Sequence, residues 1–182
     1  MQGDLILVID MQNAYAEGGV WQCRGVEQCS ENICRILESV KNEEVLLTKY
    51  VAPENPVGVW KDYNEINRGV NEDSFANELM PEYLPYADKY PCIEKDTYSA
   101  AYNKQVRDAA KAAKRVVLTG VVAECCVLST AMSLIDMGCY IVYIKDAVAG
   151  ISRQTCDATE LVLRGLDYVH TKILTAEEYI NE

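Results

Sequence analysis

The chain has 182 residues, 49% of them hydrophobic, with 28 acidic against 17 basic side chains and a formal net charge of −11. That length suits one domain with a buried core, and the acidic excess argues against nucleic acid or an anionic membrane surface as a partner. The first ten residues hold no basic stretch leading into an apolar one, and no run reaches the ~18 apolar residues of a membrane span, so a cytoplasmic protein is expected.

The eight cysteines are then expected to be reduced thiols, and no C-x-x-C pair or zinc-type spacing occurs among them. The single histidine, His170, lies near the C-terminus, where a structural or exposed role is expected. Ser-His-Asp and Cys-His catalysis need a His elsewhere than at this position, and an HExxH zinc site or a multi-His metal centre needs more than one. A cysteine nucleophile in this chain must take its base from a carboxylate or a lysine.

In chain order, residues 5–9 (LILVI) form a continuous apolar run of strand length, with Asp10 at its carboxyl end. A polar, glycine-bearing loop follows. Residues 26–41 carry Ile33, Ile36, Leu37 and Val40 at helical spacing, and 45–48 read as a second buried strand. Between Lys49 and Lys89, Pro53, Pro56, Pro81 and Pro85 interrupt short helical segments. An excursion of that length reads as a substrate lid or as an arm reaching a neighbouring subunit. Trp60, Tyr63 and Arg68 are its residues best suited to stack on a ligand or pair with a carboxylate.

Residues 91–95 are a short extended run ending at Lys95, and a helix is expected from about 102 to 113. The stretch 116–138, VVLTGVVAECCVLSTAMSLIDMG, then reads as strand, tight turn and helix closed by Gly138. Its adjacent thiols, Cys125 and Cys126, fall where a helix shows unpaired N–H groups and the positive end of its dipole. Lowering a thiol pKa from about 8.5 to about 6 raises the thiolate fraction at neutral pH from roughly 3% to roughly 90%. Burial as small apolar side chains is the competing account. A strand over 140–144, a helix over 153–164 with Cys156, Leu161 and Leu163 turned inward, a strand near 169–173 and a helix capped by Thr175 complete the chain.

Strand and helix alternate throughout, and the strands are apolar rather than alternating. The fold class expected is α/β: a three-layer, doubly wound, mostly parallel sheet with helices on both faces, spanning 1–182 as a single domain. In such sheets ligands bind beyond the carboxyl ends of the strands. Asp10, Lys95 and the Cys125-Cys126 turn all fall at that edge.

Three motifs carry a resemblance that covers nearly the whole chain. LILVIDMQNAY, KDTYSAA and TGVVAECCV resemble, in order and spacing, the isochorismatase-like cysteine hydrolases, a family that includes nicotinamidases, carbamoyl-amide hydrolases and isochorismatase. The resemblance implies an Asp10-Lys95-Cys126 triad, since the family's nucleophile directly precedes Val and therefore matches Cys126 rather than Cys125. It also implies a cis Val121–Val122 peptide, with the N–H groups of Val122 and Cys126 forming an oxyanion hole. Gln12, Tyr15, Trp60, Tyr63, Arg68 and Tyr98 are the expected substrate contacts.

The activity implied is hydrolysis of a small amide, carbamoyl or ureide C–N bond through a thioester on Cys126. Homo-oligomers, dimeric or tetrameric, are usual for the family. Two departures stand out. Ala101 replaces a Phe common after Tyr-Ser-Ala, and the nicotinamidase metal motif of one Asp and two His is missing from Lys49-Tyr50-Val51-Ala52. No metal and no cofactor are therefore expected, and a nicotinamidase is not. Vinyl-ether hydrolysis of the isochorismatase type, redox sensing through Cys125-Cys126 and a non-catalytic scaffold remain as alternatives.

Overall fold

A computed structural model describes residues 3–182. Its strands are β1 (Leu5–Ile9), β2 (Glu44–Tyr50), β3 (Cys92–Lys95), β4 (Val116–Val121), β5 (Ile141–Ala149) and β6 (Thr171–Leu174). They form one sheet in the order β3-β2-β1-β4-β5-β6, with every pair parallel. The chain crosses from one edge of the sheet, β3, to its middle, β4. That places the switch point, where ligands bind in open α/β sheets, between β1 and β4.

Alternation along β1 feeds two cores. Ile6 and Val8 join a cluster with α1 (Val26–Ser39), α9 (Ala176–Ile180) and the arm's Leu79, Met80 and Tyr83. Leu5, Leu7 and Ile9 join a second cluster with α6 (Lys104–Ala112), α7 (Leu128–Asp136) and Leu163 of α8 (Arg153–Arg164). Both faces of the strand are covered, which is why its sequence is apolar without a break. At the opposite, amino edge, Arg115 joins Asp4 and Glu182, each at 2.6 Å, and ties the two ends of the chain together.

The excursion after β2 contains α2 (Trp60–Ile66), α3 (Arg68–Asn71), α4 (Ser74–Asn77) and α5 (Leu84–Lys89). Its second half is fastened to the loop after β1. Asn13 N–H donates to the Glu78 carbonyl at 2.9 Å, and Met80 N–H to the Met11 carbonyl at 2.9 Å.

Three element readings need correction. β5 runs to Ala149, past the expected end at 144, because pairing with β4 shifts register between Leu118 and Gly120 and resumes at Val148; the Lys145-Asp146 pair inside that irregularity reads locally as a loop. Leu161 is exposed rather than inward, and Leu163 is the α8 residue that reaches the core. A π-helical turn, Ala123–Val127, stands between β4 and α7 where a continuous helix is expected. His170 is exposed, as expected.

Candidate active site

Asp10 is the first residue past β1 and takes a left-handed conformation (φ 53°), which Asp tolerates better than most residues. That turn points its carboxylate across the sheet edge toward β2. Oδ1 accepts from Thr48 Oγ1 at 2.7 Å, and the Asp10 N–H donates to the Thr48 carbonyl at 3.1 Å. Lys95 comes from the end of β3, and its ammonium crosses the end of β2 to lie 2.6 Å from Asp10 Oδ2. The same nitrogen donates to the Thr97 carbonyl at 3.0 Å and approaches Cys126 Sγ at 3.5 Å. Its three N–H positions thus have three partners. Apart from that ammonium, Asp10 Oδ2 has no donor among the described residues, which leaves it open toward the thiol.

Cys126 reaches this pair from the π turn. The Val121–Val122 peptide is cis, and the Val122 carbonyl takes the N–H groups of Cys125 and Val127, each at 3.1 Å. The turn sits tight against β1. Gly120 has φ +103°, and a Cβ there would fall 2.1 Å from the Ile9 carbonyl oxygen, so only glycine fits. The two vicinal thiols part company: Cys126 packs into the α6/α7 side of the core, and half-buried Cys125 against the α1 side.

The expectation of a readily ionised Cys126 is corrected here. Burial, then the charge of Asp10, push its thiol up to about 12, against the lowering effects of Lys95 and the Val122 N–H. Asp10 and Lys95 already cancel, so a thiolate would add an uncompensated charge at a position 4% exposed. Moving the thiol proton onto Asp10 instead leaves the total charge of the three groups unchanged. Burial opposes the Lys95 ammonium, but Asp10 and Cys126 more than offset it and its pKa is raised.

Aromatic rings close the site. Tyr98 lies 4.9 Å from Trp60 and 6.2 Å from Tyr63, centroid to centroid, and Trp60 lies 5.2 Å from Tyr63. From Tyr63 the wall continues through Tyr50 (6.4 Å) to Trp21 (6.3 Å) and Tyr15 (5.5 Å). Lys95 Nζ stands 5.7 Å from the Tyr50 ring centre. Burial and then the neighbouring Cys126 and Asp10 raise the Tyr15 hydroxyl pKa well above its usual value, which marks its closeness to both.

Four of the six expected contacts, Tyr15, Trp60, Tyr63 and Tyr98, thus belong to one wall. Gln12 does not present a free amide. Its Nε2 donates to the carbonyls of Tyr50 (3.0 Å) and Asn77 (2.8 Å), and its Oε1 accepts from Tyr50 N–H (2.8 Å), so it ties the arm to β2. Arg68 is exposed and paired with Glu65. Thr48, Tyr50, Trp21 and Thr97 were not expected. Their roles depend on strand register and loop closure, and of the four only Thr97 lies in one of the three motifs, KDTYSAA, which does not mark its carbonyl.

The isochorismatase domain profile matches residues 4–177, and the chain belongs to that family. It is similar in fold to an isochorismatase-like hydrolase from Alkaliphilus metalliredigens, with 21% identity, 98% of each chain covered and a TM-score of 0.75. A cysteine hydrolase from Pseudomonas syringae pv. phaseolicola shares 16% identity over 98% of this chain and 91% of its own, with a TM-score of 0.81. N-carbamoylsarcosine amidase from Thermoplasma acidophilum shares 22% identity over 96% of each chain, with a TM-score of 0.73. No curated protein sequence matches the chain. No helix among the described residues is long and apolar enough to cross a membrane.

Proposed function

We propose that this isochorismatase-family protein hydrolyses the C–N bond of a small amide, carbamoyl compound or ureide, with Cys126 as nucleophile, Asp10 as proton carrier and Lys95 as fixed charge. The observation that carries the reading is one ammonium lying 2.6 Å from a carboxylate and 3.5 Å from a thiol, all three side chains being buried. Asp10 Oδ2 takes the thiol proton as sulfur attacks the carbonyl carbon. The developing oxyanion is received by the N–H groups of Val122 and Cys126. Asp10 returns the proton to the departing nitrogen, and ammonia or an amine leaves a thioester. Asp10 then deprotonates a water that attacks the thioester, the acid departs, and the thiol is restored.

Lys95 keeps its proton throughout. It holds Asp10 in place and lowers the energy of the transient thiolate. We read the reaction as metal-independent because the segment after β2 is Val51-Ala52-Pro53-Glu54 and offers no imidazole. The exposed apolar side chains Val57, Val59, Ile66 and Phe75 of the arm support a homo-oligomer, dimeric or tetrameric, that covers them. Light scattering should then give a mass at least twice 20.4 kDa, and a monomer at micromolar concentration would contradict it.

The reaction is tested by turnover of a panel of amides, carbamoyl compounds and ureides after exhaustive chelation, with intact-mass detection of an acyl adduct. An adduct on Cys126 that vanishes in Cys126→Ala is the expected result. Turnover that persists in Cys126→Ala, or that is lost on chelation and restored by zinc, overturns the mechanism.

A further inference from the structure

Resting on the hydrolase reading above, we infer that the site accepts an amide whose far end is uncharged or cationic and excludes one that carries a carboxylate. A carboxylate leaving water for a closed pocket needs a cation with donors to spare. Lys95 has none, because Asp10, Thr97 and Cys126 already face its three N–H positions and Asp10 cancels its charge. The other basic side chains between residues 49 and 89 are turned elsewhere. Lys49 pairs with Glu94 at 3.3 Å, Arg68 pairs with Glu65, Lys61 is exposed, and Lys89 lies 4.7 Å over the Tyr90 ring.

What lies near the thiol instead is Tyr15, Tyr63 and Tyr98, linked to Trp60 and Tyr50 in one aromatic wall, and aromatic ring faces carry negative potential. Beside Lys95 an open cavity of about 390 Å³ is lined by Glu94 and Asp96 among others. A carboxylate beside Lys95 would lie near Glu94 and Asp96, and Lys95 has no donor left for it. A flat neutral group stacks on these rings, and a trimethylammonium group gains a cation–π contact as well.

Three matched amides test this: succinamate, butyramide and 3-(trimethylammonio)propanamide. They share the reacting group and chain length and differ in terminal charge. Binding is read in Cys126→Ala, where turnover is removed, through the fluorescence of Trp21 and Trp60, the chain's two tryptophans, both in the wall. Butyramide and the trimethylammonium amide should bind at least tenfold more tightly than succinamate. Tyr98→Lys in the same background, at a partly exposed wall position, should tighten succinamate and weaken the cationic amide. Succinamate binding as tightly as butyramide overturns the inference, and so does failure of all three to bind the folded protein. Ammonia release by the unaltered enzyme separates the two readings. Equal kcat/KM for succinamate and butyramide removes the charge preference and keeps the hydrolase. The expected binding order with no turnover of any of the three amides removes the hydrolase and keeps the charge preference.

Discussion

Asp10 and Lys95 are a buried ion pair before they are anything else, and that governs how variants at either position behave. Replacing one member leaves a lone charge where its partner's was cancelled, at a cost of about 3–5 kcal/mol. Asp10→Asn should therefore abolish turnover and also lower the urea midpoint, whereas Cys126→Ala should abolish turnover with little change in stability. The double variant Asp10→Asn/Lys95→Met should be more stable than Asp10→Asn alone, because no charge remains to bury. Chemical denaturation of the four proteins checks this, and an undiminished midpoint for Asp10→Asn would mean that the pair is not closed from water. Thr48 belongs to the same scale. Its hydroxyl satisfies Asp10 Oδ1 at 2.7 Å, and it holds the carboxylate in the orientation that turns Oδ2 toward Lys95.

Among the elements, β4 and the turn after it carry the tightest constraint. At Gly120 a methyl group would meet the Ile9 backbone at 2.1 Å from oxygen and 2.6 Å from nitrogen, in a conformation that L side chains rarely adopt. Gly120→Ala should cost roughly 3 kcal/mol or more, since β1 and β4 must separate to admit it. It should also reduce kcat more than KM, because Asp10 and Cys126 hang from those two strands. Thermal melting and steady-state kinetics on one preparation read both effects. The arm answers to Gln12, whose three hydrogen bonds join Tyr50 to Asn77. Gln12→Ala should speed hydrogen exchange over residues 74–80 and raise KM while the triad stays intact. Unchanged exchange there would show that the backbone bonds of Asn13 and Met80 suffice.

At the scale of the whole molecule the buried thiols and phenols set the response to alkali. Burial first, then neighbouring groups, raise Cys23 and Cys126 to about 12, and burial likewise raises Tyr63, Tyr83 and Tyr143. A group whose pKa is higher folded than unfolded contributes stability in full below the unfolded value. That contribution drains away as pH climbs toward the folded value. Stability should thus hold from pH 7 to about 8.5 and then fall steadily toward pH 12, with the net charge of −11 growing more negative and adding self-repulsion. Urea midpoints at pH 7, 9 and 10.5 measure it. A flat profile would mean that these groups are hydrated.

The apolar runs of β1, β2 and β4 are legible residue by residue, because a strand covered on both faces has no polar position to disguise it. Asp10 and Lys95 are legible as strand-end residues and Cys126 as a residue of the turn after β4, because the carboxyl ends of parallel strands share one edge. What the linear chain could not decide was the state of the nucleophile. A helix N-terminus read locally favours a thiolate, but ionisation depends on everything within several ångströms, and here burial and Asp10 outweigh Lys95. The same holds for Gln12 and Arg68, polar residues suited to a ligand until their partners at Asn77 and Glu65 are seen, and for Thr48, Tyr50 and Trp21, which no motif marks. Hydrophobic periodicity is written in neighbours along the chain and survives in one dimension. Hydrogen-bond partnership, ring stacking and pKa are set by neighbours in space, 38 residues apart for Thr48 and Asp10, and only the folded sheet brings them together.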